Sequence, residues 1–253
     1  MELKVLGRFG PFPAPGGACS GYTVRCGETL IALDLGNGCL PRLLSAAPGL
    51  DMDCVILSHL HADHMSDMLI LRYALRQFAE RNRPARVPMP VICPDGPEDM
   101  FRMLASSGVY DITTIRDNML LRFGGVSISF HRVAHPVPTY ATIIEHDGSR
   151  LVYTGDTGMF PGLQRICRGA DLILADANFT EEDKPLSNAP HLSGAEAGML
   201  AAQADARALI LTHLWGGSGS ERGTTIAQEK LLLEARAHFP RAELAEELKT
   251  YTV

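Results

Sequence analysis

The sequence predicts a layered α/β sandwich formed by one domain that spans residues 1–253. Apolar runs of strand length alternate along the chain with segments of helical periodicity, the pattern of sheets covered by helices. The sequence contains no internal repeats or low-complexity tracts, and its glycines and prolines are spread evenly, so no linker is indicated. Several apolar runs also end in histidine or aspartate, which places polar side chains at the ends of buried strands.

Short strands separated by turns are predicted for the N-terminal part. The stretch 11–17 is too rich in proline and glycine for regular structure, and we expect a loop that lines a cleft. The first helix is predicted over Ser66–Arg83, where helix formers carry an apolar stripe that ends before Pro84. The arginines of this region are interpreted as a solvent-exposed face rather than as phosphate contacts: Arg72, Arg76, Arg81, Arg83 and Arg86.

Start and stop signals predict three further helices and a final strand. A proline opens and a glycine closes the first of these helices. Ser193 and Glu196 match a capping box for the second helix, and Thr225 repeats that signal for the third. The predicted ranges are Glu98–Ser107, Gly194–Asp205 and Thr225–His238 for the helices and Glu247–Val253 for the strand.

The stretch Ser58-His59-Leu60-His61-Ala62-Asp63-His64 follows the apolar run 54–57 and carries most of the chemical information. Three imidazoles and one carboxylate within six residues would be costly to desolvate without an ion to compensate. Imidazole and carboxylate together suit zinc, and also iron or manganese. His59 and His61 can point at one ion, whereas Asp63 and His64 lie beyond a bend and can face a second, so one ion or two stays open here.

Three more strand ends carry residues that can bind a metal. His135 follows the alternating strand 126–130, and Asp156 lies in a glycine-flanked turn after the strand that begins at residue 151. His213 ends the strand 208–212. We expect these three side chains to supply the remaining ligands, because each of them lies where a strand stops.

Taken in order, these residues closely resemble the metallo-β-lactamase superfamily of metal-dependent hydrolases, whose signature H-x-H-x-D-H is followed by a histidine, an aspartate and a histidine. The resemblance covers nearly the whole chain and implies a four-layer α/β/β/α sandwich with the metal site at one edge between two sheets. It also implies two divalent metal ions, with Zn²⁺ as the first choice and Mn²⁺ or Fe²⁺ as alternatives. The implied ligands are His59, His61 and His135 for the first ion, Asp63, His64 and His213 for the second, and Asp156 as the bridge.

Within the superfamily, the details resemble the ribonuclease Z and related phosphodiesterase branch. The resemblance rests on His135-Pro136-Val137-Pro138-Thr139-Tyr140-Ala141, on the turn Thr154-Gly155-Asp156-Thr157 and on His191-Leu192-Ser193 ahead of a helix. The G-H-[ST]-P-G turn of glyoxalase-type and lactonase-type members is missing around His135.

Ribonuclease Z carries a long tRNA-gripping arm between its third histidine and the bridging aspartate. Here 21 positions separate His135 from Asp156, enough for one hairpin only. The residues after His213 also depart from the Ser-Pro-Arg-Tyr type of continuation in the tRNA enzymes. The resemblance therefore implies the hydrolytic centre without tRNA as its substrate.

The implied chemistry is hydrolysis of a phosphodiester by attack of a metal-bound hydroxide. His191 is the candidate acid for the departing oxygen, because it lies just ahead of a capped helix. By resemblance, Asp176 takes the place of a glutamate that hydrogen-bonds this histidine and favours its protonated form. The alternative is that Asp176 caps a loop and His191 lies idle at the surface. Asp63 counts among the catalytic residues as well as the ligands, and Asp34, by resemblance, forms supporting hydrogen bonds near the metal loop.

The net charge of −6 argues against unspecific binding to long nucleic acids, which normally requires a basic surface. We expect a small anionic or nucleotide-like substrate rather than tRNA. The N-terminus lacks a signal-peptide pattern, no apolar run is long enough to cross a membrane, and the six cysteines lack C-x-x-C pairing. These features predict a cytoplasmic protein with reduced thiols. The resemblance also allows a homodimer, for which the sequence indicates no interface.

Two alternatives to phosphodiester hydrolysis stay open. The same metal centre could act on carboxylic esters, lactones or thioesters, or the chain could bind a metal or a partner without catalysis. Trp215 is the sole tryptophan and follows His213, which invites a base-stacking role, but we favour core packing for it. Three histidines without sequence partners are interpreted as ordinary: His131, His146 and His238.

Overall fold

A computed structural model of the chain describes residues 1–81, 85–184, 190–217 and 221–253, within which two seven-stranded sheets form. The first sheet contains β1 (Glu2–Gly7), β2 (Gly21–Cys26), β3 (Thr29–Leu35), β4 (Cys54–Ile56), β5 (Met89–Cys93), β6 (Tyr110–Thr114) and β14 (Thr250–Thr252). The second contains β7 (Leu120–Phe123), β8 (Val126–Arg132), β9 (Tyr140–His146), β10 (Ser149–Tyr153), β11 (Leu172–Asp176), β12 (Ala208–Thr212) and β13 (Ala242–Leu244). Their spatial orders are β14-β1-β2-β3-β4-β5-β6 and β13-β12-β11-β10-β9-β8-β7.

Helices cover the outer face of each sheet. The helices on the first sheet are α1 (Cys39–Ala46), α2 (Ala62–Met65), α3 (Met68–Glu80) and α4 (Glu98–Ala105). Those on the second sheet are α5 (Leu163–Cys167), α6 (Gly194–Gln203) and α7 (Glu221–His238).

Side-chain alternation along the strands separates the layers. Ile31 and Leu33 of β3 lie between the sheets, where they belong to the same core cluster as Leu174 of β11. Ala32, the residue between them, belongs to the cluster under α1 and α3. Successive strand residues face opposite sides of a sheet, so one strand serves both layers. The predicted four-layer α/β/β/α sandwich is confirmed.

Parallel pairing brings the ends of several strands to one edge. β3 pairs with β4 and β4 with β5 in parallel, and β10, β11 and β12 are parallel to one another. The carboxyl ends of parallel strands meet at the same edge of a sheet, which is where ligands bind in open α/β sheets. The loops after β4, β10, β11 and β12 therefore converge between the two sheets.

Some predicted boundaries were wrong. The helix predicted over Ser66–Arg83 is α3, which ends at Glu80, earlier than predicted. Arg83 and Pro84 lie outside the described residues. Helix α7 begins four residues before Thr225, because a capping signal does not prevent a helix from extending in the N-terminal direction. The final strand is shorter than predicted, because Leu248 adopts a φ of 67° in a turn. The backbone N–H of Leu248 donates to Val5 O.

The remaining bulk features concern cysteines and membranes. The six cysteines are buried and free. Among the residues that the structure describes, no helix combines the length and the apolar composition needed to cross a bilayer. The one-domain organisation over residues 1–253 stays a prediction.

Candidate metal centre

Three histidines converge on one point at the edge between the sheets. His59 and His61 lie in the loop after β4, and His135 lies in the loop after β8. His61 Nδ1 lies 3.0 Å from His59 Nε2 and 3.2 Å from His135 Nε2. Two ligands bound at about 2.05 Å to a tetrahedral zinc ion are roughly 3.4 Å apart. The three nitrogens are thus spaced as ligands of one ion would be.

A second cluster lies beside the first and mixes carboxylate with imidazole. Asp63 and His64 belong to α2, which begins directly after His61. Asp63 Oδ2 lies 3.5 Å from His64 Nε2 and 3.1 Å from Nε2 of His213, the residue after β12. These three atoms also have the spacing of ligands that share one ion.

Asp156 lies between the two clusters, in the turn after β10. Its Oδ2 is 3.6 Å from His59 Nε2 and 3.2 Å from His213 Nε2. Its Oδ1 is 3.3 Å from His64 Nε2. Asp156 therefore groups with each cluster in turn, the arrangement needed for a carboxylate that bridges two ions.

Four buried atoms of the site residues lack hydrogen bonds in the described part of the chain, and two of them face each other. His64 Nε2 and Asp156 Oδ1 are inaccessible to solvent, and neither makes a hydrogen bond within the described part of the chain. Buried polar atoms are nearly always satisfied, so orphaned atoms that face each other indicate an interaction partner outside the polypeptide. A divalent cation meets this need, because it accepts the lone pairs of imidazole nitrogen and carboxylate oxygen.

The electrostatics of the first cluster favour neutral imidazoles. Burial lowers the pKa values of His59, His61 and His135, in the case of His135 to about 4. Metal ions bind the neutral ring, whose free nitrogen carries a lone pair. The three-histidine cluster is thus held in the form that can ligate a metal.

The second cluster carries more negative charge. Burial opposes ionisation of Asp63 and Asp156, but the neighbouring histidines outweigh it and hold both pKa values well below the usual range. Burial likewise opposes protonation of His64, yet the two carboxylates raise its pKa well above the ordinary value. Two ionised carboxylates in a buried site create a local demand for positive charge.

Asp34 supports the metal loop from β3. It is fully buried, and its backbone has a φ of 52°, which is uncommon for a residue other than glycine. Its Oδ1 accepts a hydrogen bond from the backbone N–H of Ser58 at 2.7 Å. Its Oδ2 accepts from the Ser58 hydroxyl at 2.7 Å, from His64 Nδ1 at 2.8 Å and from the Tyr153 hydroxyl at 2.7 Å.

These hydrogen bonds fix which ring nitrogen faces the site. In the neutral ring that a metal binds, the proton of His64 is on Nδ1, which donates to Asp34, and the lone pair is on Nε2, the atom that points at the second cluster. Ser58 Oγ donates to Asp34 and lies 3.0 Å from His59 Nδ1, so it can accept from that nitrogen. His59 Nε2 is thereby left for the first cluster.

Backbone geometry and one side-chain hydrogen bond position His213. This residue has a φ of 57°, and Asn178 donates to its carbonyl oxygen at 2.7 Å. A Cβ atom added to Gly10 would lie 2.0 Å from His213 Nε2, so only glycine allows the N-terminal loop to approach the ring this closely. A strained residue held by close packing is typical of functional sites.

His191 and Asp176 form a hydrogen-bonded pair next to the second cluster. His191 Nδ1 lies 2.8 Å from Asp176 Oδ2, and the imidazole stacks on the ring of His213 with centroids 4.9 Å apart. Burial opposes protonation of His191, but the charge and hydrogen bond of Asp176 outweigh it and raise the pKa to about 9. The His191 side chain is only 12% exposed, so it does not lie at the surface, and its role as the acid stays a prediction.

The comparisons with known proteins agree with this site. The family model described as "Beta-lactamase superfamily domain" matches residues 35–214, more than half of the chain. The chain belongs to this superfamily. Superfamily membership, together with the paired clusters of histidine and aspartate, implies binding of divalent metal ions.

Several superfamily proteins are similar over most of their length. The probable metallo-hydrolase YhfI of Bacillus subtilis is 31% identical over 214 residues, which cover 85% of this chain and 87% of YhfI. The crystal structure of YhfI has a TM-score of 0.89 at 27% identity and covers 99% of this chain and 98% of that chain. A ribonuclease Z of Mycolicibacterium paratuberculosis is 28% identical over 281 aligned positions, with 98% and 96% coverage. The short form of human tRNase Z shares the fold, with a TM-score of 0.77 at 18% identity and 100% and 99% coverage.

One hairpin lies between His135 and Asp156, as the length of this segment predicts. Strands β9 and β10 fill this segment and pair in antiparallel register from Tyr153 opposite Thr142 to Ser149 opposite His146. The chain thus has the superfamily fold with a single hairpin in this segment.

Sequence reasoning missed part of the site and misjudged one residue. Ser58, Tyr153 and Asn178 contact ligands or Asp34, but single hydroxyl and amide residues give no signal in a sequence. Gly10 directly precedes the stretch 11–17 that was expected to line a cleft, but it was not itself predicted as part of the site. Core packing was wrong for Trp215, because its side chain is 44% exposed.

Proposed function

We propose that the protein is a phosphodiesterase with a dinuclear centre, zinc being the expected metal, that acts on a small nucleotide-like substrate. The observation that carries this proposal is the pairing of His191 with Asp176 beside two clusters that share Asp156. Hydrolysis of a phosphodiester with a poor leaving group requires a proton for the departing oxygen, and a histidine held in its protonated form can supply it. Ester or lactone hydrolysis depends less on such an acid.

The proposed ligands divide as the clusters do. His59, His61 and His135 hold one ion, Asp63, His64 and His213 hold the other, and Asp156 bridges them. Divalent ions bound there would activate water and offset negative charge in the transition state. Asp63 Oδ2 lies 3.1 Å from His213 Nε2, the spacing of two ligands that share one ion.

His191 has the proposed role of the acid. Its Nδ1 remains on Asp176, which fixes the ring and leaves Nε2 for the substrate. The attacking water first releases one proton to solvent. As its oxygen forms a bond to phosphorus, the bond from phosphorus to the leaving oxygen breaks. Nε2 then gives its proton to that oxygen. Asp176 is a positioning residue here, held by the backbone N–H of Thr157 at 3.0 Å.

The relatives and the charge of the chain support this choice of substrate. Relatives named ribonuclease Z match at 27–29% identity over 84–98% of the chain. A net charge of −6 and a single hairpin in place of a long arm favour a small anion over tRNA. The positive charge of bound zinc ions would attract such an anion to the site.

Leaving-group dependence tests the proposal. Zinc-loaded protein should hydrolyse both bis(p-nitrophenyl) phosphate and a thymidine dinucleotide. His191→Gln should lower kcat on the dinucleotide by about a hundredfold or more, because an alkoxide leaving group needs the proton. The loss on bis(p-nitrophenyl) phosphate should stay below about tenfold, because p-nitrophenolate leaves without one.

The matched control is His238→Gln, which changes an exposed histidine at the end of α7. It should behave as wild type on both substrates. Equal losses on the two substrates in His191→Gln would contradict the acid role. Hydrolysis of esters or lactones without phosphodiester turnover would contradict the proposed function itself.

A further inference from the structure

Two aromatic side chains stand in solvent next to the metal centre. Phe12 is 42% exposed and Trp215 is 44% exposed. Their rings contact edge to face, with centroids 5.0 Å apart and an interplanar angle of 70°. Large apolar rings are normally buried, so a paired, exposed set indicates a surface that a ligand covers.

Backbone hydrogen bonds place the loops that carry Phe12 and Trp215 next to the candidate ligand His213. Gly10 N donates to Leu214 O at 3.0 Å, and Leu214 N donates to Arg8 O at 2.8 Å, so the two loops run side by side. Gly10 packs against the ring of His213. Phe12 follows Gly10 by two residues and Trp215 follows His213 by two. Consecutive Cα atoms are 3.8 Å apart, so each aromatic residue has its Cα within about 8 Å of a residue at the metal centre.

Two glycines allow the rings to pack tightly. A Cβ atom on Gly216 would lie 2.3 Å from Phe12 O. A Cβ atom on Gly217 would lie 2.7 Å from the Phe12 ring and 2.9 Å from the Trp215 ring. Side chains at these positions would force the rings apart. The aromatic pair is therefore held in one arrangement, which lowers the entropy that a stacked ligand must overcome.

We propose that Phe12 and Trp215 form a stacking subsite for a nucleobase of the substrate. This inference rests on the proposed function, in which the adjacent metal centre takes the phosphodiester. A planar, uncharged ring suits the subsite, because base stacking on aromatic side chains needs no matching charge and tolerates any base. A nucleotide joins such a ring to a phosphate over the short distance that separates the subsite from the clusters.

Fluorescence gives a readout that does not depend on turnover. Trp215 is the only tryptophan, so emission excited selectively from indole reports on this position alone. Thymidine monophosphate, titrated into zinc-loaded protein, should quench that emission saturably, whereas ribose phosphate should not. Phe12→Leu should weaken the quenching. Quenching by both compounds, or by neither, would overturn the proposal.

Kinetics with two substrates that differ only in the base provides the second test. Thymidine p-nitrophenyl phosphate and methyl p-nitrophenyl phosphate share the leaving group. Trp215→Leu should lower kcat/KM on the thymidine ester by about tenfold and leave the methyl ester within about twofold. The control Tyr73→Leu, which removes an exposed ring on α3, should change neither.

The outcomes of these experiments distinguish failure of the stacking subsite from failure of the proposed phosphodiesterase function. Hydrolysis of both esters without preference and without quenching would refute the subsite and leave the phosphodiesterase intact. Quenching by thymidine monophosphate without turnover would support the subsite and refute the phosphodiesterase. Emission that changes with protein concentration in the absence of nucleotide would show a second copy covering the pair, and would also overturn the proposal.

Discussion

The two sheets contribute to the metal centre in different ways. The first sheet supplies four candidate ligands from a single segment, His59 to His64, at the end of one strand. The second supplies three from separate connections, which follow β8, β10 and β12. Near neighbours in the chain can form half of a site through local geometry alone, whereas the other half exists only when the whole second sheet has formed.

The means of support differ as well. On the first sheet, one buried carboxylate, Asp34, accepts hydrogen bonds that orient His64 directly and His59 through Ser58. On the second, His213 is held mainly by a left-handed backbone and by the close approach of Gly10, with one side-chain hydrogen bond from Asn178 to its carbonyl oxygen. A hydrogen-bond network can be weakened by removing one acceptor, but packing of backbone against a ring cannot be weakened that way. Substitutions at Asp34 should therefore reveal the difference most clearly.

The largest effect is expected from Asp34→Asn. An amide cannot accept at both ends, so its NH₂ group must face either Ser58 N–H or the donors His64 and Tyr153. The ring of His64 would then lose its fixed orientation. We expect metal affinity to fall by about 10–100-fold, the usual effect of losing a partner of a ligand. Competition with a chromogenic chelator measures this change.

Asp67→Asn is the matched control for that experiment. Asp67 is also buried, but it accepts from the backbone N–H of Leu40 and contacts none of the candidate ligands through a hydrogen bond that the structure describes. Its metal affinity should equal that of wild type. Equal losses in the two variants would mean that Asp34 acts through general stability, and no loss in Asp34→Asn would remove it from the site.

A smaller effect is expected from Tyr153→Phe. Tyr153 lies on β10, yet its hydroxyl donates to Asp34 on β3, so this hydrogen bond connects the two sheets at the metal centre. Burial and the Asp34 charge raise the pKa of Tyr153, which keeps the phenol a neutral donor. Removing the hydroxyl should lower the free energy of unfolding by about 1 kcal/mol, because three donors to Asp34 remain.

Urea unfolding of chelator-treated protein tests this value, with Tyr73→Phe as the control on the exposed face of α3. The Tyr73 variant should unfold as wild type does. Unchanged stability in Tyr153→Phe would show that the sheets do not depend on this link. A loss of metal as large as in Asp34→Asn would place Tyr153 nearer the metal than we infer.

The contrast between the sheets also explains what the sequence could predict. The segment from His59 to His64 is visible because its residues adjoin a buried strand. His135, Asp156 and His213 are visible one by one as strand ends, but their convergence depended on the superfamily resemblance. Asp34 was expected only to form supporting hydrogen bonds. Its several donors and its φ of 52° could not be predicted, because they arise from tertiary packing. The exposure of Trp215 was missed for the same reason, because periodicity does not show which loops cover a ring.

The most direct test of the central claim is elemental analysis of zinc-repleted protein beside the variant Asp156→Ala. Asp156 groups with both clusters, so its loss should affect both ions. We expect about two metal ions per wild-type chain, as two clusters with one shared carboxylate predict, and clearly fewer in the variant. A wild-type chain that retains no metal after careful repletion, or a variant that keeps the full content, would contradict a dinuclear centre bridged by Asp156.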